Sequence, residues 1–180
     1  MTSLRTIELR CPVCRNHFTS RAVDSTDSMA GESTDFHARS VGVQPLAYLV
    51  HLCERCGYEF AAKVASWQGE QPRRLGELWL RAAWCCVDEN DVEGERYYRR
   101  HAVWAFEEAL ATYDGVGRDE RALITYLVGE LWRRIGDEQR AKKWFDRVPV
   151  EITSPTRQRW VADAARQQKH QPREWFRRAA

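Results

Sequence analysis

A chain of 180 residues with 28 basic and 26 acidic side chains, for a formal charge of +2, has a balanced and well-solvated surface, so composition supplies no wholesale attraction to nucleic acid. The length suffices for one medium domain or two small ones, and the pattern along the chain favours two. The start, MTSLRTIELRCPVC, lacks the apolar core of a signal peptide and no later stretch has the length to cross a bilayer, so a cytoplasmic protein rather than a membrane one is expected.

Arg5 to Arg10 alternate in polarity, as a short strand does, and His17 to Ala22 read as the return strand of a hairpin whose turn carries Cys11 and Cys14. From Val23 to Gln44, Ser, Thr, Asp and Gly dominate without periodicity, which predicts a long excursion loop ended by Pro45. Leu46 to Leu52 then reads as a buried strand delivering Cys53 and Cys56, and Tyr58-Glu59-Phe60 begin the way out. Residues 1–67 are thus expected to form a small β module, followed by a linker over 68–72.

Helix dominates beyond Pro72, a residue suited to the first turn of a helix. Leu75, Leu78, Trp79, Ala82, Ala83 and Cys86 recur at the spacing of a buried helix face, up to an acidic turn at Asp88-Glu89-Asn90-Asp91. A second helix is predicted from Val92 to Tyr113, with Tyr97, His101, Trp104, Ala105 and Leu110 inward. Asp114 to Gly117 break the pattern, and Arg118 to Ile135 restore it with Leu123, Leu127, Leu131 and Trp132. Gly136-Asp137 make a tight turn, Glu138 to Val148 a fourth helix stopped by Pro149, and Ser154 or Pro155 to Gln168 a fifth. The helical domain spans 73–170, and 171–180 is a basic tail.

In a reducing compartment thiols persist, so two CxxC pairs point to metal rather than to disulfides. Zinc favours tetrahedral thiolate coordination, a CxxC turn presents two sulfurs to one ion, and Cys11, Cys14, Cys53 and Cys56 complete a shell around one structural zinc. Gly57 supplies the backbone freedom that a knuckle turn needs, whereas Arg15 occupies the equivalent place after Cys14 and is a poorer fit. Arg10, Arg15 and Arg55 are near enough in sequence to offset the excess negative charge. A redox role for either pair, and His17, His37 or His51 as replacement ligands, are weaker alternatives. Cys85 and Cys86 beside Trp84 read as core thiols, and His101 is the one histidine of the central helices, so a Cys/His enzyme is the least favoured option. No catalytic constellation is recognised: there is no phosphate loop, no paired-carboxylate motif and no open metal site.

Gly129, Trp132, Gly136, Ala141 and Phe145 fall at the offsets at which a tetratricopeptide repeat places its small, aromatic and turn positions. Ala102, Phe106 and Ala109 reproduce part of that spacing in a blurred earlier copy. The fold class expected is therefore α+β but mostly α: a zinc-ribbon-like β module followed by an antiparallel tetratricopeptide-like array. With CPVC near the start, Asp35-Phe36, Gln44-Pro45-Leu46, Cys53-Glu54-Arg55-Cys56-Gly57-Tyr58, Leu78 to Trp84 and the Tyr126 to Phe145 segment, the chain resembles the bacterial domain of unknown function 2225 family up to about Val148. The resemblance implies zinc binding with repeat-like helices and brings no activity, substrate or partner.

The function expected is a zinc-binding protein-interaction module whose helical face holds a protein or peptide partner. Arg99, Arg100, Arg133, Arg134 and Arg140 are the candidate carboxylate clamps, against a reading of each as a solvated charge. Trp79, Trp104, Trp132 and Trp144 are expected in the core, with a partner groove as the alternative. Nucleic-acid binding through the zinc module and the basic residues Arg157, Arg159, Arg166, Lys169, Arg173, Arg177 and Arg178 is the runner-up.

Overall fold

The computed structural model describes residues 2–11, 13–26, 30–56, 59–61, 72–112 and 116–176. The chain divides into two units, one comprising Met1–Glu32 and Ala38–Gly69, the other Ser33–His37 and Glu70–Ala180.

The first unit is built from antiparallel pairs. Strands β1 (Ser3–Arg10) and β2 (His17–Ser25) form a hairpin in which Arg10 faces His17 and Leu9 faces Phe18. Short strands β3 (Gly31–Glu32) and β4 (Ala38–Arg39) pair next, and β5 (Val50–Leu52) pairs with β6 (Glu59–Ala61) around the second cysteine turn. Two expectations change here. Leu46–Leu49 is a turn of 3-10 helix packed against β2, and only Val50–Leu52 is strand, consistent with Pro45 directing a turn before extended structure resumes. The segment 23–44 is not a featureless loop, because β2 continues to Ser25 and two further strands follow. Among the described side chains of this unit, the buried apolar ones are Cys11 and Cys53.

The second unit is helical: α1 (Pro72–Glu89), α2 (Val92–Ala111), α3 (Arg118–Ile135), α4 (Glu138–Arg147) and α5 (Pro155–His170), with a turn of 3-10 helix at Val148–Glu151. Helix α1 runs through Asp88 and Glu89, so the break is confined to Asn90-Asp91, with Asn90 at φ 60°. The Asp91 carboxylate caps α2 by accepting from the Gly94 amide at 3.0 Å, and the Asp137 carboxylate caps α4 from the Arg140 amide at 2.9 Å. Gly136 ends α3 at φ 97°, a conformation that glycine adopts without steric cost. The sequence-predicted linker lies mostly outside the described residues, while its last residue, Pro72, opens α1.

Two apolar clusters fill this unit. Leu80 of α1, Ala102, Val103, Phe106 and Leu110 of α2, and Ile124, Leu127, Val128 and Leu131 of α3 form one; Tyr126, Ala141, Phe145, Val148, Val161 and Ala165 form the other. In both helix pairs a glycine admits a phenylalanine ring. A Cβ on Gly76 would lie 2.6 Å from the Phe106 ring, and one on Gly129 would lie 2.7 Å from the Phe145 ring, so neither place tolerates a side chain unless the ring moves.

The inward face of α2 differs from expectation. Ala105 and Leu110 are buried, but Tyr97 and Trp104 are 54% and 59% exposed, and Arg99 takes the interior position with 1% exposure. Trp79, Trp132 and Trp144 are partly buried and pack against the core, as expected. The tail expectation also changes: Gln171 to Phe176 fold back within the helical unit, where the Gln168 side chain bonds the Arg173 amide and carbonyl at 2.7 and 2.8 Å and Phe176 joins the second cluster. The basic residues Arg177 and Arg178 lie outside the described residues. Among the described residues, no helix is long and apolar enough to cross a membrane.

Candidate metal centre

The first cysteine pair sits in the β1–β2 turn and the second in the β5–β6 turn, so local hairpin geometry presents two thiols from each. The turn at the first pair is drawn tight by the Cys11 amide donating to the Asn16 carbonyl at 2.9 Å and the Arg15 amide donating to the Cys11 carbonyl at 3.0 Å. Arg15 adopts φ 59°, the left-handed region, which is the conformational cause of its poor fit at that place. Its counterpart Gly57 lies outside the described residues.

The sulfurs of Cys11, Cys14, Cys53 and Cys56 all lie within 4.8 Å of one another, a set that can hold one metal ion. Cys11 Sγ is 3.7 Å from Cys56 Sγ and Cys14 Sγ is 3.6 Å from Cys53 Sγ, far beyond the roughly 2.05 Å of a disulfide. The turns therefore interleave: each contact pairs a thiol of one hairpin with a thiol of the other. Cys11 and Cys53 are buried, Cys14 is half-buried and Cys56 is exposed. Burial raises the Cys11 thiol, but the amides of Cys14 and Val13 and the thiols of Cys14 and Cys56 outweigh it and bring it down to about 6. That shift favours the thiolate, the form that binds metal.

The histidines named from sequence go elsewhere. His17 is exposed, His51 is buried with its Nδ1 2.9 Å from Ser20 Oγ, and burial lowers its pKa. His37 belongs to the helical unit, stacked on Trp84 at 5.2 Å with Nε2 3.3 Å from the Asp88 carboxylate. Cys85 and Cys86 have raised thiols. For Cys85, burial and then the neighbouring Asp88, Cys86 and Glu89 push the value up to about 11, the reverse of what a nucleophile needs. His101 packs at a tilt against the Trp79 and Tyr97 rings and meets the Tyr97 carbonyl at 2.9 Å.

A second constellation, not legible from the motifs, lies in the helical unit around Ser33–His37. The Asp35 carboxylate meets Arg99 at 3.1 Å, Arg134 at 3.5 Å and the donating Trp84 Nε1 at 3.1 Å. Burial pushes the Asp35 carboxyl up, yet the guanidinium groups of Arg99 and Arg134, with the Ser33 hydroxyl and Trp84, hold it below the usual range. Glu130, fully buried, accepts from Thr34 Oγ1 at 2.6 Å and from Arg133 and Arg134 at 2.8 Å each. Both of these arginines also meet Glu174. Of the expected clamp arginines, Arg99 is therefore buried rather than a solvated charge, and Arg133 and Arg134 are part-buried and engaged by Glu130 and Glu174. Arg100 is exposed and Arg140 lies over the Trp132 ring at 4.4 Å; both line a shallow depression of about 820 Å³ with Trp132, Ile135 and Gly136.

The basic residues of α5 have acidic neighbours: Arg157 and Asp119 at 4.0 Å, Arg159 and Asp163 at 3.9 Å, Arg166 and Asp163 at 3.0 Å, and Lys169 and Asp146 at 2.5 Å. A phosphate backbone would compete with these carboxylates for the same cations.

The model of one protein family, described as an uncharacterized protein conserved in bacteria (DUF2225), matches residues 4–67 and 65–172, and the chain belongs to that family. No curated protein and no solved structure matches it.

Proposed function

We propose that this member of the family is a protein-interaction module in which one zinc ion, bound by Cys11, Cys14, Cys53 and Cys56, fixes the N-terminal β unit, while a tetratricopeptide-like helical unit holds a protein partner. The observation that carries this reading is the interleaved sulfur set. Four sulfurs about 2.3 Å from a central zinc lie ~3.8 Å apart along each edge of a tetrahedron; two cross-hairpin pairs stand at 3.7 and 3.6 Å, and all four sulfurs lie within 4.8 Å of one another. Four thiolates fill the shell, so zinc there has no open position for substrate and its role is structural.

With the metal assigned to scaffolding, recognition falls to the helical surface. The Gly129–Phe145 approach supports the repeat-like pairing of α3 with α4, since it reproduces the small-to-aromatic contact of such repeats. Arg100, Arg140 and Trp132 around the shallow depression suit a peptide carboxylate beside an apolar side chain. Cross-linking and affinity capture with the wild-type chain and an R100E/R140E variant test this. A partner retained by the wild type and lost by the charge reversal is expected; capture indifferent to the reversal would place recognition elsewhere. Metal analysis tests the scaffold half, with one zinc per chain expected.

A further inference from the structure

Ser33–His37 is a segment of five residues whose polar groups are met by the helical unit as a ligand's would be. The Phe36 amide donates to the Ser33 carbonyl at 2.9 Å and the Ser33 amide to the His37 carbonyl at 3.0 Å, closing the segment into a turn. The Thr34 amide donates to the Glu174 carbonyl at 3.0 Å, and the Thr34 carbonyl accepts from Tyr126 Oη at 3.0 Å. Ser33 also pairs with Trp175 as an isolated antiparallel bridge. The Asp35 carboxylate sits among Arg99, Arg134 and Trp84, and the Phe36 ring lies 5.7 Å from Tyr126, 6.1 Å from Trp160 and 5.6 Å from Phe176. Phe36 touches both apolar clusters. Backbone, carboxylate and ring are each read by separate groups, the division of labour of a peptide-recognition site.

Phe36 carries a strain that follows from its tether. It sits at φ 67°, at the left-handed position of a three-residue turn where glycine is the usual occupant. A phenylalanine there weakens its own docking by on the order of tenfold. An aromatic side chain delivered by a different turn need not carry that cost. A mostly apolar cavity of about 310 Å³ is lined by Thr34, Ala164 and Trp175 and by the rings of Tyr126, Trp160 and Phe176, which also meet Phe36.

We propose that this cleft is a recognition site for a turn of a partner protein that presents a carboxylate followed by an aromatic ring, and that Ser33–His37 fills it in cis as an internal substitute. The proposal builds on the reading of the helical unit as an interaction module and places a second, self-occupied site on it. A partner turn competes with a tethered segment whose effective concentration is on the order of millimolar. The self-occupied cleft is therefore closed to weak acidic peptides and opens to a ligand that avoids the strain.

The test uses the full chain carrying D35N and F36A, which removes the carboxylate charge and the ring and so loosens the segment's hold on the cleft, and a cyclic peptide spanning residues 30–40. The folded variant is expected to bind the native peptide and to bind a peptide with the same two replacements at least about tenfold more weakly. Equal binding of both peptides, or of neither, overturns the proposal. If the variant does not fold, wild-type chain is mixed with each peptide at about 1 mM, the scale of the tether. Amide exchange at Thr34 to His37 is then expected to accelerate with the native peptide alone, and equal rates with both overturn the proposal. Exchange that changes with protein concentration before any peptide is added would make a second copy of this chain the occupant and overturn the heterologous partner. Loss of capture by R100E/R140E bears on the Arg100 depression, not on this cleft, so the two ideas fail separately.

Discussion

The two units reach order by opposite means. In the N-terminal unit the strands are short and paired two by two, the described buried side chains are Cys11, Cys53, Ser40 and His51, and sulfur atoms from two turns come together. The helical unit has two apolar clusters and, between helices and the Ser33–His37 segment, a buried set of ions. A cross-link at one place can be undone at one place, whereas a distributed core fails only by degrees. The contrast predicts that zinc controls the first unit and leaves the second standing.

Chelation is accordingly the largest perturbation. Structural zinc sites contribute on the order of 10 kcal/mol in small metal-stapled modules. Stripping the metal, or C53S, should abolish amide-exchange protection in β1, β2 and β5 while α2 and α3 keep theirs; uniform loss across both units would break the comparison. Next in size is Asp35→Ala, which leaves Arg99 buried without the more buried of its two carboxylate partners, Glu95 remaining at 3.0 Å, and should cost about 3 kcal/mol in urea unfolding followed by helical circular dichroism. The sign of its pH dependence follows from the lowered carboxyl of the folded state. Stability from the ionised Asp35 is full above the ordinary carboxylate range and is lost as pH falls below about 4, so the wild-type advantage over D35A should shrink there.

Much of this architecture was legible in local pattern. The CxxC spacing led to the sulfur cluster, and Asp91, Gly136, Asp137 and Pro155 marked helix ends because caps and breakers act through neighbouring backbone. What stayed hidden was long-range. Arg99 reads as a surface charge on α2 because its partner Asp35 lies in a polar stretch far away in sequence, without periodicity. Tyr97 and Trp104 mislead in the opposite sense: apolar at helical spacing, they suggest a core face, but Ala102, Val103, Phe106 and Ala109 occupy it. Burial of an ion is decided by its partners, and a one-dimensional pattern does not contain them.

Smaller effects sharpen the contrast within each unit. Gly129→Ala should cost about 1–3 kcal/mol in the helical unit, because the new methyl group meets the Phe145 ring at 2.7 Å; thermal melting would read it, with zinc content unchanged. Arg15→Gly should act in the other direction and on the other unit. Removing the side chain at φ 59° relieves about 1 kcal/mol and should raise resistance to a chelator without altering α-helical unfolding.

The proposed dependence of the first unit on a shared metal is open to one direct measurement, X-ray absorption at the zinc edge on the purified chain together with its metal content. One zinc per chain with a first shell of four sulfurs at about 2.3 Å is expected. A shell containing nitrogen or oxygen, or a folded chain without metal and with four freely titrating thiols, would contradict the account.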